Sequence, residues 1–351
     1  MRTPAHHPRP RVFTRTRKGY PHWLVAVLLA LARAGAAEVP GENQTPTAQV
    51  PASEQLTTDP VPETFVPRPV EDVLEAQIFL ARRGLSPGPI DGLNGPQTRA
   101  ALRAFQEQYG LPVTGELDET TRLPMRLTET PLTNYLVTAH DLARLRPVPA
   151  TWLGKSQEER LDYETMLELV AEHGWAYQSF IRRLNPQLDW SAITAGTSVR
   201  LPRVERPQFS GKAAQVKIFL ERRTLQAFDQ EGRLLVHFPC SVAVRVDKRP
   251  IGELRVSVLA PDPDYTFDPE LFTESEEGRQ LGRRLRIPPG PNNPVGVAWL
   301  GLNLPGYGIH GTPRPENVGR AESLGCFRLA NWNARILLDL AWVGLPVIIE
   351  P

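Results

Sequence analysis

The chain has 351 residues, enough for two or three domains, and its 41% apolar and 23% charged residues exclude a chain that is disordered throughout. A formal net charge of +1 argues against a strongly basic nucleic-acid binder. With only two cysteines, Cys240 and Cys326, and no CxxC pair, HExxH or P-loop string, structural zinc and Walker-type nucleotide chemistry are disfavoured.

The first 37 residues carry seven basic side chains (Arg2, Arg9, Arg11, Arg15, Arg17, Lys18, Arg33) and no acid. An apolar run, Trp23 to Ala32, follows the main basic cluster and leads into Ala34-Gly35-Ala36-Ala37. This is the order of a secretory signal, too short to span a bilayer comfortably, with cleavage expected near Ala36 or Ala37 and a retained anchor as the alternative. Its removal leaves 33 basic against 39 acidic residues. Export places the remaining chain in an oxidising compartment. Residues 38–65 form a proline-rich linker, with Pro40, Pro46, Pro51, Pro60 and Pro62 among Gln, Thr and Ser. Such a composition buries too little apolar surface to fold and reads as a spacer.

A three-helix module is expected over residues 66–126. Val70, Leu74 and Ile78 recur at helical spacing and Gly84 closes that helix. Pro96 suits a first helical turn, Leu102, Phe105 and Tyr109 form a stripe that Gly110 ends, and Asp118-Glu-Thr-Thr starts a third helix. With its string Gly92-Leu-Asn-Gly-Pro-Gln-Thr-Arg-Ala-Ala-Leu-Arg-Ala-Phe-Gln106, the unit resembles the peptidoglycan-binding modules found beside cell-wall enzymes.

Over residues 133–204 come Tyr135-Leu-Val, a proline-containing stretch, a helix around Met166, Leu167 and Val170, a second helix ending at Leu184-Asn185-Pro186, and a short strand in Gly196–Pro202. This small α+β order is similar to a LysM carbohydrate-binding module with an insertion after its first strand. A plain linker domain has the same pattern.

From residue 212 to 351 the apolar period becomes two: Val216, Ile218 and Leu220; Leu234, Val236 and Phe238; Leu254, Val256 and Val258. The stretch with Asp262, Asp264 and Asp268 reads as a solvated loop. One late helix, with Asn331 as its cap and Trp332, Ile336, Leu340 and Val343 on one face, precedes a closing strand at Pro346–Glu350. The expected architecture is therefore multidomain: an all-α module, a small α+β module, and a mostly antiparallel β domain with a late helix.

Chemistry concentrates in Gly306-Tyr-Gly-Ile-His310-Gly-Thr312 and Ser323-Leu-Gly-Cys326-Phe-Arg328-Leu329. A thiol nucleophile needs a neighbouring base or cation, and His310 can act as one if the fold brings it beside Cys326. The Gly325 and Cys326 amides can donate to an oxyanion, and Arg328 can hold a carboxylate. On residue types alone, an inert buried thiol and an ordinary histidine are the better reading. Cys240 reads as a core thiol, unbridged to Cys326.

The segment is similar to the active-site motif of the L,D-transpeptidases, His-Gly-Thr followed by Ser-His-Gly-Cys-x-Arg, and Ile287–Gly296, Trp299–Leu302 and Pro305–His310 match a periplasmic-type subgroup. That resemblance implies Cys326 as nucleophile, His310 as proton donor and acceptor, and the Gly311 carbonyl orienting the imidazole. It also implies Ser323, Tyr307 and Arg328 at the substrate, with no metal and no cofactor. The implied partners are peptidoglycan glycan strands and stem peptides, and as acceptor a stem-peptide amine, a lipoprotein lysine or water. The implied location is the periplasm. Leu324 stands where the family often has histidine, which keeps open a catalytically degenerate wall-binding scaffold.

Overall fold

The structure, a computed structural model, describes residues 65–271, 276–319 and 325–351. The expected signal and nearly all of the linker lie outside the described residues, as do Ser323 and Leu324.

The first unit runs β1 (Arg68–Pro69), α1 (Val73–Arg82), α2 (Pro96–Gln108), α3 (Glu119–Arg122) and β2 (Arg126–Leu127), with β1 and β2 antiparallel. Its start and stop signals act locally. The Asp72 carboxylate accepts from the Glu75 amide at the head of α1, and Asp118 does the same for the Thr121 amide at α3. Pro96 opens α2, and Gly84, at φ +79°, takes the left-handed conformation that ends α1. Phe79, Leu80, Leu102 and Phe105 close the core, with the two phenylalanine rings edge to face at 5.7 Å. Gln106 is buried because its carboxamide serves a loop. Its Nε2 donates to the Thr114 and Thr121 hydroxyls and its Oε1 accepts from the Gly115 amide.

The second unit runs β3 (Leu132–Leu136), α4 (Ala139–Arg144), α5 (Trp152–Gln157), α6 (Met166–His173), α7 (Gln178–Leu184) and β4 (Ser198–Pro202). β3 and β4 pair antiparallel, with Tyr135 opposite Val199. Asn185 ties α7 to β4, donating to the Ile181 and Arg200 carbonyls and accepting from the Arg200 amide. The proline-containing stretch is not bare connection. It holds α4 and α5, which begin at Thr138 and Thr151 caps and are six residues each, too short to leave a helical period in the sequence.

The third unit contains β5 (Gln215–Phe219), β6 (Thr224–Phe228), β7 (Leu234–Pro239), β8 (Gly252–Pro261), β9 (Tyr265–Phe267), α8 (Glu276–Leu281), β10 (Leu285–Ile287), β11 (Ala298–Leu302), β12 (Gly308–His310), β13 (Phe327–Arg328), α9 (Asn331–Leu340) and β14 (Pro346–Glu350). Eight strands form one sheet in the order β13-β12-β11-β8-β14-β5-β6-β7. It is antiparallel except for the β14–β5 and β12–β13 pairs, and α9 packs on it beside β11 and β12. The chain is thus multidomain, a helical module followed by a large, mostly antiparallel sheet with a late helix.

Three local expectations fail here. The acidic stretch contains β9, which pairs with β10, and its acids are partnered: Asp264 with Arg286, Asp268 with Arg284, Asp262 with Arg335. Asn331 does not cap α9. It is the first helical residue, and its Oδ1 instead accepts from the Val297 amide while its Nδ2 donates to the Pro291 carbonyl. The helix ends at Leu340, leaving Val343 exposed.

The three units are joined by backbone pairing. The exposed edge of β7 is covered by residues 84–86, with the His237 amide donating to the Gly84 carbonyl at 2.9 Å and the Ser86 amide to the His237 carbonyl at 2.8 Å. Edge strands left bare invite foreign pairing, and here the first unit supplies the cover. Ile90 exchanges backbone hydrogen bonds with Trp175 and Tyr177 of the second unit, and Leu161 does so with Pro289 and Asn292 of the third. One apolar core runs through all three, from Ile78 and Ile90 through Leu167 and Phe180 to Val236, Phe238 and Leu337.

Candidate active site

The site lies at the β11–β12–β13 end of the sheet. Register places Trp299 opposite His310, Ile309 opposite Phe327, and His310 opposite Arg328. Ile309 and Phe327 are buried in the core. Because side chains alternate along strands, His310, Cys326, Arg328 and Trp299 share the other face. Cys326 stands one pairing step diagonal to His310, a Cα spacing of about 8 Å from sheet geometry. A parallel pairing of two very short strands therefore puts the sequence-separated thiol and imidazole on one face of the sheet.

His310 is buried, and its Nδ1 lies 2.6 Å from the Gly311 carbonyl oxygen. A carbonyl only accepts, so Nδ1 carries the proton in the neutral ring and Nε2 is left as the proton acceptor. The indole of Trp299 stacks on the imidazole, centroids 5.6 Å apart and planes 25° apart. Gly308 makes room for that indole, since a Cβ there would fall 2.5 Å from its Cη2. Gly296 and Gly311 meet closely enough that a Cβ on Gly296 would come within 2.6 Å of the Gly311 carbonyl carbon, and Asn331 Oδ1 sits against both. The histidine's acceptor is thus held by packed backbone.

Cys326 is half-buried, and its Sγ donates to the Gly306 carbonyl at 3.4 Å. Burial pushes its pKa up, while the Gly308 amide and the Arg328 charge work in the opposite direction. His310 is pushed down to about 4, chiefly by burial and further by Arg328, against the Gly311 carbonyl. At neutral pH the resting pair is a thiol and a neutral imidazole, which suits proton transfer during attack rather than a preformed thiolate.

Arg328 has its Nε buried with no hydrogen-bond partner among the described residues. An unpartnered guanidinium N–H beside a thiol suits a polar or anionic group brought by a ligand. The ring of Tyr307 flanks Gly325, and its hydroxyl donates to the Lys248 carbonyl at 3.1 Å. Of the residues singled out from sequence, His310, Gly311, Gly325, Cys326, Arg328 and Tyr307 converge here, and Ser323 lies outside the described residues. Two neighbours escaped sequence reasoning. Trp299 stood in a recognised string without a role. Tyr265, whose phenol is pushed up to about 12 by burial and by the nearby Cys326, lies in the acidic stretch that reads from sequence as a loop. Its signal was the Tyr-Thr-Phe alternation between the prolines.

Cys240 faces the core, fully buried, with its thiol pKa raised by burial, and both cysteines are free. Among the described residues no group of three or more His, Cys, Asp or Glu is placed to hold a metal.

The buried histidines give a pH prediction. His237 and His310 are each held near 4, against an ordinary value of 6.5. Between those values the unfolded chain binds more protons than the folded one, so stability falls as pH drops from about 6.5 to 4, by on the order of 3 kcal/mol per histidine. Urea midpoints measured across that range in the wild type and in His237→Gln are expected to show a clearly shallower acid loss in the variant. Identical slopes would contradict the assignment.

A thiol, a carbonyl-oriented imidazole and an arginine with an unpartnered Nε thus lie on one face of the sheet. Residues 213–349 match the family model described as the YkuD L,D-transpeptidase catalytic domain, and residues 69–123 match the model described as "Putative peptidoglycan binding domain". The C-terminal region of the chain is an L,D-transpeptidase catalytic domain, with a peptidoglycan-binding domain upstream. The chain is 27% identical over 188 residues to "Putative L,D-transpeptidase YkuD" of Bacillus licheniformis, covering 54% of this chain and 94% of that protein. It is 36% identical over 109 residues to "Putative L,D-transpeptidase YqjB" of Bacillus subtilis, covering 29% of this chain and 52% of that one. Among solved structures it is similar to an L,D-transpeptidase from Mycobacterium smegmatis, at 18% identity and a TM-score of 0.31, over 44% of this chain and 64% of that chain.

Proposed function

We propose that the protein is a cysteine acyltransferase acting on peptidoglycan tetrapeptide stems. Cys326 Sγ attacks the carbonyl carbon between the diamino acid at stem position three and the terminal D-alanine, while its proton passes to His310 Nε2. The Gly325 and Cys326 amides hold the resulting oxyanion. The C–N bond then breaks, His310 returns the proton to the leaving amine, D-alanine departs, and a thioester remains on Cys326. An acceptor amine attacks the thioester carbon and gives a proton to His310; the C–S bond breaks, His310 passes that proton to the sulfur, and a new amide is left with the thiol restored. Arg328 and Tyr307 hold the stem. The acceptor is a second stem peptide or a lipoprotein lysine; water in its place gives an L,D-carboxypeptidase.

The single observation that carries this reading is the His310–Gly311 hydrogen bond on the face shared with Cys326, because it leaves the ring nitrogen that catalysis needs free to take a proton. The peptidoglycan-binding domain supports cell wall as the substrate. The second unit, with two antiparallel strands around α6 and α7, is read as a LysM-like glycan-binding module. An exported, periplasmic protein follows from the same substrate and from the N-terminal sequence.

Purified protein incubated with disaccharide tetrapeptide is expected to release D-alanine, and Cys326→Ala to release none. Turnover that survives in Cys326→Ala, or no turnover and no covalent carbapenem adduct in the wild type, would overturn the proposal in favour of a wall-binding scaffold.

A further inference from the structure

The peptidoglycan-binding domain touches the catalytic domain at a place that matters for the reaction. Gln97, in the first turn of α2, extends its carboxamide between two glycines of different domains, Gly88 and Gly319. Both have left-handed backbones, at φ +82° and +73°. A Cβ on Gly88 would collide with Gln97 Oε1, and one on Gly319 would fall 2.8 Å from Nε2. Through that gap Gln97 Nε2 donates to the Val318 carbonyl at 2.5 Å.

The Val318–Gly319 turn is in turn fastened to the strand that carries the nucleophile. The Gly319 amide donates to Ser241 Oγ at 2.9 Å, and Arg223 Nη1 donates to the Gly319 carbonyl at 3.2 Å. Ser241 exchanges both backbone hydrogen bonds with Arg328, at 2.9 and 3.0 Å. A continuous hydrogen-bonded path thus runs from Gln97 through the Val318–Gly319 turn and Ser241 to β13. Cys326 immediately precedes that strand.

We propose that Gln97 is a positioning residue for the nucleophile: the peptidoglycan-binding domain, besides holding the wall, sets the placement of β13 and with it the proximity of Cys326 to the Gly308 amide and the Arg328 charge. The inference rests on the reading of Cys326 as nucleophile. If Gln97 lets go, β13 loses one end of its brace, the thiol loses part of the amide and charge stabilisation of its ionised form, and its pKa rises further.

The test is alkylation of Cys326 by iodoacetamide across pH 6 to 10 in the full chain, followed by intact mass. The buried Cys240 is expected to stay unmodified in the folded protein. Gln97→Ala and Gln97→Met, the second keeping the bulk without the donor, are compared with Gln108→Ala. Gln108 also bridges the two domains, donating to the Leu234 carbonyl at 3.2 Å, but it lies on the β7 edge away from the site. Both Gln97 variants are expected to move the alkylation midpoint upward by about half to one pH unit and to slow alkylation at pH 7 by about three- to tenfold. Gln108→Ala is expected to leave the profile in place. Thermal melts of the variants separate this from unfolding.

An unmoved midpoint in both Gln97 variants, or an equal shift in Gln108→Ala, would overturn the proposal. The readout does not depend on turnover, so a wild type that alkylates normally but releases no D-alanine would sink the transpeptidase reading while the role of Gln97 is still decided.

Discussion

His310→Gln is expected to lower the rate at which Cys326 is acylated, by a carbapenem or a tetrapeptide donor, on the order of 10²- to 10⁴-fold. Glutamine fills much of the same buried space beside Trp299, yet its amide has no basic nitrogen to take the thiol proton. The wild-type rate is expected to rise as pH passes upward through about 4, where His310 becomes the neutral base, and then to level off through neutrality. The variant loses that step. Stopped-flow acylation across pH 3.5 to 8 reads both features. A variant within a few-fold of wild type, with the acidic step intact, would show that another group accepts the proton.

Gly296→Ala is expected to have the largest combined effect on stability and activity. At φ +62° the new methyl is penalised by backbone conformation, by about 1–2 kcal/mol. It also meets backbone rather than a flexible side chain, 2.6 Å from the Gly311 carbonyl carbon. Overpacking of this kind costs about 1–3 kcal/mol more. The displaced atoms include the carbonyl that orients His310, so destabilisation of about 3 kcal/mol is expected together with at least a tenfold loss in acylation rate. Urea unfolding and acylation kinetics on one preparation check the two together. Wild-type values for both would contradict the packing described around Gly296, Gly311 and Asn331.

Much of the architecture is legible in the sequence because its signals are local. Asp72, Gly84, Pro96 and Asp118 act within one helical turn of where they stand, and the period-two runs at Val216, Leu234 and Leu254 mark strands β5, β7 and β8 on sight. What depends on distant partners is not legible. Gln97 and Val318 are 221 residues apart, and nothing at either position announces the other. The cover that residues 84–86 give to β7 is equally non-local.

The candidate site divides the same way. Its residues stand out as a motif resembling a known family, but the pairing of β12 with β13 involves strands of three and two residues, too short for any periodic signal. Asn331 shows how a correct local cue can be overridden: a good capping residue at a helix start is drawn instead to the Val297 amide and Pro291 carbonyl, where the backbone around His310 needs partners.

In the proposed reaction the Cys326 thiol is acylated by a stem peptide with the help of His310. Intact-mass analysis followed by peptide mapping, after brief incubation with disaccharide tetrapeptide and acid quench, tests this most directly. One adduct per chain is expected, with the mass of the donor less D-alanine, on the peptide that contains Cys326. An adduct mapped to any other residue, or D-alanine released from a chain whose Cys326 is blocked beforehand, would contradict it.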